Sequence, residues 1–250
     1  GLTEIQEALP PICGSTDLCG FITKEAAEQC GLCPGTPVIG GMFDIDACAL
    51  GTQVMEPDMV CMIAGTWSIN EYPREVPVVD GSVLMNSVFC ISPYYLIEES
   101  SPTSAGNNAW FIQQLLPELE RQAKQQGHSI YDVLNAWVEE ISPDTFVPVF
   151  LPFLMASNVH PNARGAFVGL GTNHSRKHLA RSIYEGITFS HKYHFEKLLA
   201  TMPQPPRLIR LAGGAAHSPV WTQMFADVLG YPVQTVQANE TGALGCAIAV

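Results

Sequence analysis

The chain has 250 residues, with 12 Lys and Arg against 24 Asp and Glu and a formal charge of −12. That balance excludes a general nucleic-acid binder, which needs cations to displace the counterions of phosphates. Its length allows one or two domains and its 47% hydrophobic content a sizeable core, but charged residues are only 14%, so part of the surface is expected to be covered in the working protein.

In chain order, residues 1–34 read as a polar opening and a short helix, Lys24 to Cys30, capped by Thr23 and stopped by Gly31. Cys30-Gly-Leu-Cys33 has the spacing of a redox or zinc pair, without the second pair that such a site requires. Gly35 to Gly41 predicts a short buried strand closed by glycines, and Met42 to Gly51 a tightly packed helix of small residues. Met59 to Ile69 predicts two strands around the turn Ala64-Gly-Thr66, Glu71 to Asp80 a loop, and Val83 to Ile97 a further strand pair.

Beyond Pro102 the spacing of Trp110, Phe111, Leu115 and Leu116 predicts a helix. A polar, solvent-exposed linker over Glu120 to Ser129 then leads to a second helix, Ile130 to Ile141. Phe146 to Leu154 predicts a strand, Met155 to Gly165 a loop, and Ser175 to Ala200 the longest helix. Arg207 to Ala212 predicts a strand and Gly213 to Ser218 its turn. Pro219 opens a helix with one apolar face through Trp221, Met224 and Phe225 to Gly230, Tyr231 to Val236 is a strand, and Glu240 to Ala249 opens a last helix. Strands alternating with helices, with β-meanders between, argue for α/β.

No run approaches the roughly 18 apolar residues that cross a bilayer, and no basic segment precedes an apolar run, so a cytoplasmic protein is expected. The eight cysteines, several in apolar runs such as that around Cys61, read as reduced, buried thiols.

Gly65-Thr66 is either an ordinary hairpin turn or a cradle whose N–H groups and hydroxyl hold phosphate oxygens. Gly213-Gly214, between strand and helix, either serves close packing or admits a nucleotide to the backbone and the helix N-terminus. Both turns could face one anionic ligand, although neither has the Walker or Rossmann pattern. Asp44 and Asp46, near the first strand-to-helix transition, are N-caps, a general base toward a hydroxyl, or metal ligands. His160, Arg164 and His217 lie in loops and read as solvated, and Trp110 and Trp221 as core.

In order, Leu9-Pro-Pro, the segment Gly31 to Asp44, Gly65-Thr66, Asn162 to Leu170, Ala212 to Val233 and Glu240 to Gly245 resemble the FGGY family of carbohydrate kinases over nearly the whole chain. Within that family the sequence looks nearest to the pentulose (xylulose and L-xylulose) kinase branch, and Gly65-Thr-Trp67 is more like L-xylulose kinases than the usual Gly-Thr-Ser.

The resemblance implies an α/β fold of the actin-like ATPase (ribonuclease H-like) type, with ATP and sugar in a cleft between two domains. It implies that residues 1–55 are the end of the N-terminal sugar-binding domain, and that residues 56–250 are most of the C-terminal nucleotide-binding domain, cut inside its last helices. On this expectation the chain by itself has no kinase activity. By position Asp44 matches the catalytic base. Gly65 and Thr66 match the turn that meets the ATP phosphates, Gly213 and Gly214 the glycines that admit adenosine, and Ser218 a position beside the nucleotide. Gly106, at the start of a helix facing the cleft, is a further match.

The implied activity is ATP-dependent phosphorylation of a primary hydroxyl of a ketose, with Mg²⁺ as cofactor. The partners are then the sugar and ATP, neither nucleic acid nor membrane, with a homodimer as an assembly to test. Three departures stand out: Ile45 replaces a polar residue that touches the sugar, which counts against glycerol and D-xylulose; Phe43 replaces a Gly; and Ala212-Gly-Gly replaces a triple glycine. The rivals are a kinase of another polyol, glycerol or a tetritol, and a non-catalytic nucleotide-binding sensor.

Overall fold

The structure, a computed structural model, describes residues 9–238 and 240–250. The first eight residues of the expected polar opening therefore lie outside it.

The chain begins with strand β1 (Leu18–Phe21), helix α1 (Lys24–Cys30) and strand β2 (Pro37–Ile39). β1 and β2 form a two-stranded antiparallel pair. The Thr23 hydroxyl accepts from Ala26 N–H, and Gly31 closes α1 at φ 73°, as the spacing predicts. β2 is not the buried strand expected: it is exposed or half-buried, because β1 is its only neighbour and no helix among the described residues covers the pair.

Helix α2 (Asp44–Gly51) leads into strands β3 (Met59–Ala64), β4 (Ser68–Arg74), β5 (Met85–Val88) and β6 (Tyr95–Ser101). β4 runs into the segment expected as loop and contains Pro73. β3 pairs only as far as Glu71, so position 73 has a strand neighbour on one side alone, where proline is tolerated. Helices α3 (Gly106–Leu115), α4 (Pro117–Gln125) and α5 (Ile130–Glu140) follow. α4 replaces most of the expected linker: Pro117 sits in its first turn with Glu118 and Glu120, Lys124 in its last, and Ala123 is buried.

The short strands β7 (Val149–Leu151) and β8 (Ala166–Val168) pair only with each other, so the nine-residue apolar run expected as one strand contributes three residues. Helix α6 (Arg176–Leu199), strand β9 (Leu208–Gly213), a 3-10 turn (Gly214–His217), helix α7 (Pro219–Leu229), strand β10 (Val233–Thr235) and helix α8 (Thr241–Ile248) complete the fold.

Six strands form one mixed sheet in the order β10-β9-β3-β4-β6-β5. β10, β9 and β3 run parallel, and β3, β4, β6 and β5 form an antiparallel meander. Side chains alternate across the sheet. Val60, Met62, Ile209 and Leu211 join the larger core with Phe111, Ile183, Ile187 and Phe225 of α3, α6 and α7. Met59, Cys61, Leu96 and Leu208 face the other way, onto Ala49 and Leu50 of α2.

α2 and α8 cross with their backbones in contact: a Cβ on Gly51 would overlap the Thr241 carbonyl, and one on Gly245 the Ala47 carbonyl. The cysteines depart from expectation, since only Cys61 is buried. Cys13, Cys19, Cys30, Cys33 and Cys246 are exposed, before and on β1, at the end of α1 and just beyond it, and on α8; all eight are free thiols.

Candidate active site

β3 and β9 are neighbouring parallel strands in register from Met59 opposite Leu208 to Ala64 opposite Gly213. The two glycine turns, Gly65-Thr66 and Gly213-Gly214, therefore leave the sheet side by side at the carboxyl ends of two strands, where open α/β sheets bind ligands. Gly213 is required there. Its φ is 79°, and a Cβ would stand 2.6 Å from the Ala64 carbonyl oxygen and 2.9 Å from Gly65 N. At Gly214 the nearest such atom is 3.9 Å away, so the backbone faces open space.

The turn after β3 is tied down on its other side. Ser104 N–H donates to the Thr66 carbonyl at 3.0 Å, and Gly65 N–H to that of Trp67 at 3.2 Å. A Cβ on Gly106 would lie 3.4 Å from the same Thr66 oxygen, so the start of α3 abuts the turn.

Three cavities run together along this edge. One of about 560 Å³ is bounded by Asp44, Ile45, Gly65, Thr66 and Trp67, with Glu98 and Ser100 at its wall. A second, of about 440 Å³, shares Asp44, Cys48 and Ile63 with the first and adds Gly213, Gly214 and His217. The third, of about 360 Å³, shares Gly214 and His217 with the second and adds Ser218, Asn108 and Asn135. The groove thus joins the residues that the resemblance implies for the site: Asp44, Gly65, Thr66, Gly213, Gly214 and Ser218 line it, and Gly106 abuts the Thr66 turn. His160 and Arg164 bond within their own loop and line none of the three cavities.

Asp44 is exposed at the first turn of α2, its Oδ1 accepting from Ile45 N–H at 3.0 Å. Asp46 instead points into the protein and accepts from the Ser87 hydroxyl at 2.7 Å. Burial pushes its pKa up to about 6, opposed by the Ser87 bond and reinforced by the charge of Asp44. Beneath it Glu71 and Glu98 stand opposite each other across β4 and β6. Burial drives Glu71 well above the carboxylate range, with the charge of Glu98 adding to the effect, and burial raises Glu98 to about 7. Neither oxygen of Glu71 has a hydrogen-bond partner among the described residues.

At the far end of the groove Tyr184 and Trp221 stack at 4.1 Å beside Ser218. The hydroxyls of Tyr184 and Ser218 both donate to Asn135 Oδ1, at 3.0 and 2.8 Å, which fixes the amide with its Nδ2 unused by those bonds. Asn108 is 1% exposed, and neither amide atom has a hydrogen-bond partner among the described residues. Sequence reasoning passed over Asn108 and Asn135: single amides inside helices carry no pattern, and only the fold brings them to Gly214. His217, set aside as a loop histidine, lines two of the three cavities.

The chain is similar to known carbohydrate kinases. The FGGY family of carbohydrate kinases, C-terminal domain, matches residues 60–250. The L-xylulose/3-keto-L-gulonate kinase of Escherichia coli is 35% identical over 250 residues, covering 100% of this chain and 48% of that protein. A probable L-xylulose kinase of Haemophilus influenzae is 35% identical over 256 residues, covering 99% and 49%. The crystal structure of xylulose kinase from Rhodospirillum rubrum superposes with a TM-score of 0.76 at 26% identity, over 96% of this chain and 47% of that one. The chain spans about half the length of these proteins. Among the described residues no helix is long and apolar enough to cross a membrane.

Proposed function

The chain belongs to the FGGY family of carbohydrate kinases, and we propose that the protein transfers the γ-phosphoryl group of ATP to a primary hydroxyl of a ketose, a pentulose such as L-xylulose or xylulose. The observation that carries this reading is the position of Asp44. It is the carboxylate common to the cavity bounded by Thr66 and the cavity bounded by Gly213 and Gly214. An acceptor hydroxyl and a nucleotide phosphate meet at that point.

In this reading Asp44 orients the acceptor hydroxyl and takes its proton late, as the phosphoryl group passes through a loose transition state in which positioning outweighs basicity. Thr66 and the N–H groups of its turn hold the γ-phosphoryl oxygens, while Gly213 and Gly214 let the nucleotide approach the backbone. Ser218, Asn108 and Asn135 line the place of the base. Ile45 and Trp67 give the acceptor cavity an apolar wall.

Mg²⁺ keeps several waters and is held largely by substrate phosphate oxygens, and we assign it no side chain of this chain. No cluster of three or more ligating side chains exists among the described residues. Bound with ATP, the ion would supply charge neutralisation to the transferring phosphoryl group. We assign residues 1–55 to the sugar-binding domain and 56–250 to the nucleotide-binding domain.

The test is an ADP-coupled assay of the full-length protein over L-xylulose, D-xylulose, glycerol and a tetritol. Turnover is expected to be fastest with a ketopentose. ATP binding without turnover on any sugar or polyol would favour the sensor reading and overturn the kinase; preference for glycerol would overturn the acceptor.

A further inference from the structure

α6 carries a buried histidine that no step above uses. His191 is 0% exposed, and its ring lies among Ser68 and Asn70 of β4 and Ser104 of the loop before α3. The protons of this cluster can be assigned from the bonds themselves. Asn70 Nδ2 donates to the Glu99 carbonyl at 3.0 Å, so Asn70 Oδ1 is the atom that faces His191 Nδ1 at 2.9 Å. An oxygen acceptor there requires Nδ1 to carry the proton. Nε2 is then a bare acceptor and accepts a hydrogen bond from the Ser104 hydroxyl at 3.0 Å. Burial, with the neighbouring His194 adding to it, lowers the His191 pKa to about 3, so the ring stays neutral.

The chain of bonds ends on the phosphate-facing turn. Ser104, fixed by His191, donates its own N–H to the Thr66 carbonyl at 3.0 Å. Ser68, whose hydroxyl is 3.1 Å from His191 Nδ1, is two residues beyond Thr66 on the outgoing strand. We infer that His191 is a positioning residue for phosphoryl transfer: it clamps both flanks of the Gly65-Thr66 turn, through Ser104 and Ser68, so that the turn is preorganised for the γ-phosphate. This rests on the kinase reading above for its activity arm, and on nucleotide binding alone for its other arm. A histidine that only fills the core would change stability and leave the protein's discrimination between ATP and ADP untouched.

The test uses the full-length protein with His191→Ala, His191→Gln and Ser104→Ala. Calorimetry with ADP and with a non-hydrolysable ATP analogue, each with Mg²⁺, is paired with steady-state turnover on L-xylulose. His191→Ala and Ser104→Ala are expected to weaken the ATP analogue on the order of tenfold and to lower kcat by at least as much, since a loosened turn no longer matches the transferring group. ADP affinity and the sugar KM should stay within about twofold of wild type. His191→Gln should recover most of the loss, because its amide oxygen can accept the Ser104 hydroxyl in place of Nε2. Folded variants that bind both nucleotides and turn over like wild type would overturn the proposal, as would equal losses on ADP and the ATP analogue. A wild type that binds the ATP analogue but phosphorylates no sugar would sink the kinase reading instead, leaving calorimetry to decide on His191. If His191→Ala does not fold, Ser104→Ala, which removes one hydroxyl, decides alone.

Discussion

Glu71, Glu98 and Asp46 place three buried carboxyl groups under the exposed Asp44, and each has a pKa raised chiefly by burial. In the unfolded chain such groups ionise near pH 4, so as pH rises from about 4.5 to about 7 the folded protein retains protons that the unfolded chain has released. Their contribution to stability is thus fullest below about pH 4.5 and is lost as pH rises through the folded values. Glu98→Gln should flatten this slope. Thermal melts at about pH 5 and about pH 8 are expected to differ less for the variant than for wild type; an unchanged difference would contradict the assignment. At this scale the sequence was informative where a residue's type answers a backbone demand, as with Gly213, Thr23 and Gly31. It was silent on Asn108, Asn135 and His191, whose roles come from neighbours more than 80 positions away in the chain or on other helices.

Among the elements, the contact between α2 and α8 fixes the position of Asp44. Gly51 and Gly245 let the two helices approach until backbone meets backbone, and the Thr241 hydroxyl reaches the Cys48 sulfur at 3.6 Å. Gly245→Ala forces the helices apart and should cost roughly 2–4 kcal/mol, the upper range for an overpacked site. Because α2 carries Asp44 in its first turn, turnover should fall together with the melting temperature; a variant as stable as wild type would show that the helices can separate freely. The small-residue composition of Met42 to Gly51 predicted this close packing. α4 escaped the reading because its charges look like a linker, and its helical character rests on Pro117, the first-turn acids and two apolar contacts, Leu119 and Ala123. β2 was read as buried from its apolar residues, but burial depends on a covering layer that a local pattern cannot report.

Across the whole molecule, the meander β3-β4-β6-β5 and the parallel additions β9 and β10 bring the carboxyl ends of β3 and β9 together. That is why motifs separated by about 150 residues line one groove. The order of strand, turn, strand, helices, strand, Gly-Gly and helix was readable from hydrophobic runs and glycines. The sheet order was not, since it depends on long-range pairing. Phe43, Trp67 and Leu84 line the cavity proposed for the acceptor and remain about half exposed, at 53%, 49% and 52%, as expected of one wall of the proposed cleft. The central claim is that Asp44 is the base of that cleft and not a nucleotide ligand. It is tested most directly by Asp44→Asn in the full-length protein, with ATP affinity and turnover on the preferred ketose measured on the same preparation. Turnover is expected to fall on the order of 10²–10⁴-fold, the usual share of a positioned general base, while ATP affinity stays within about threefold. Turnover close to that of wild type would contradict the account.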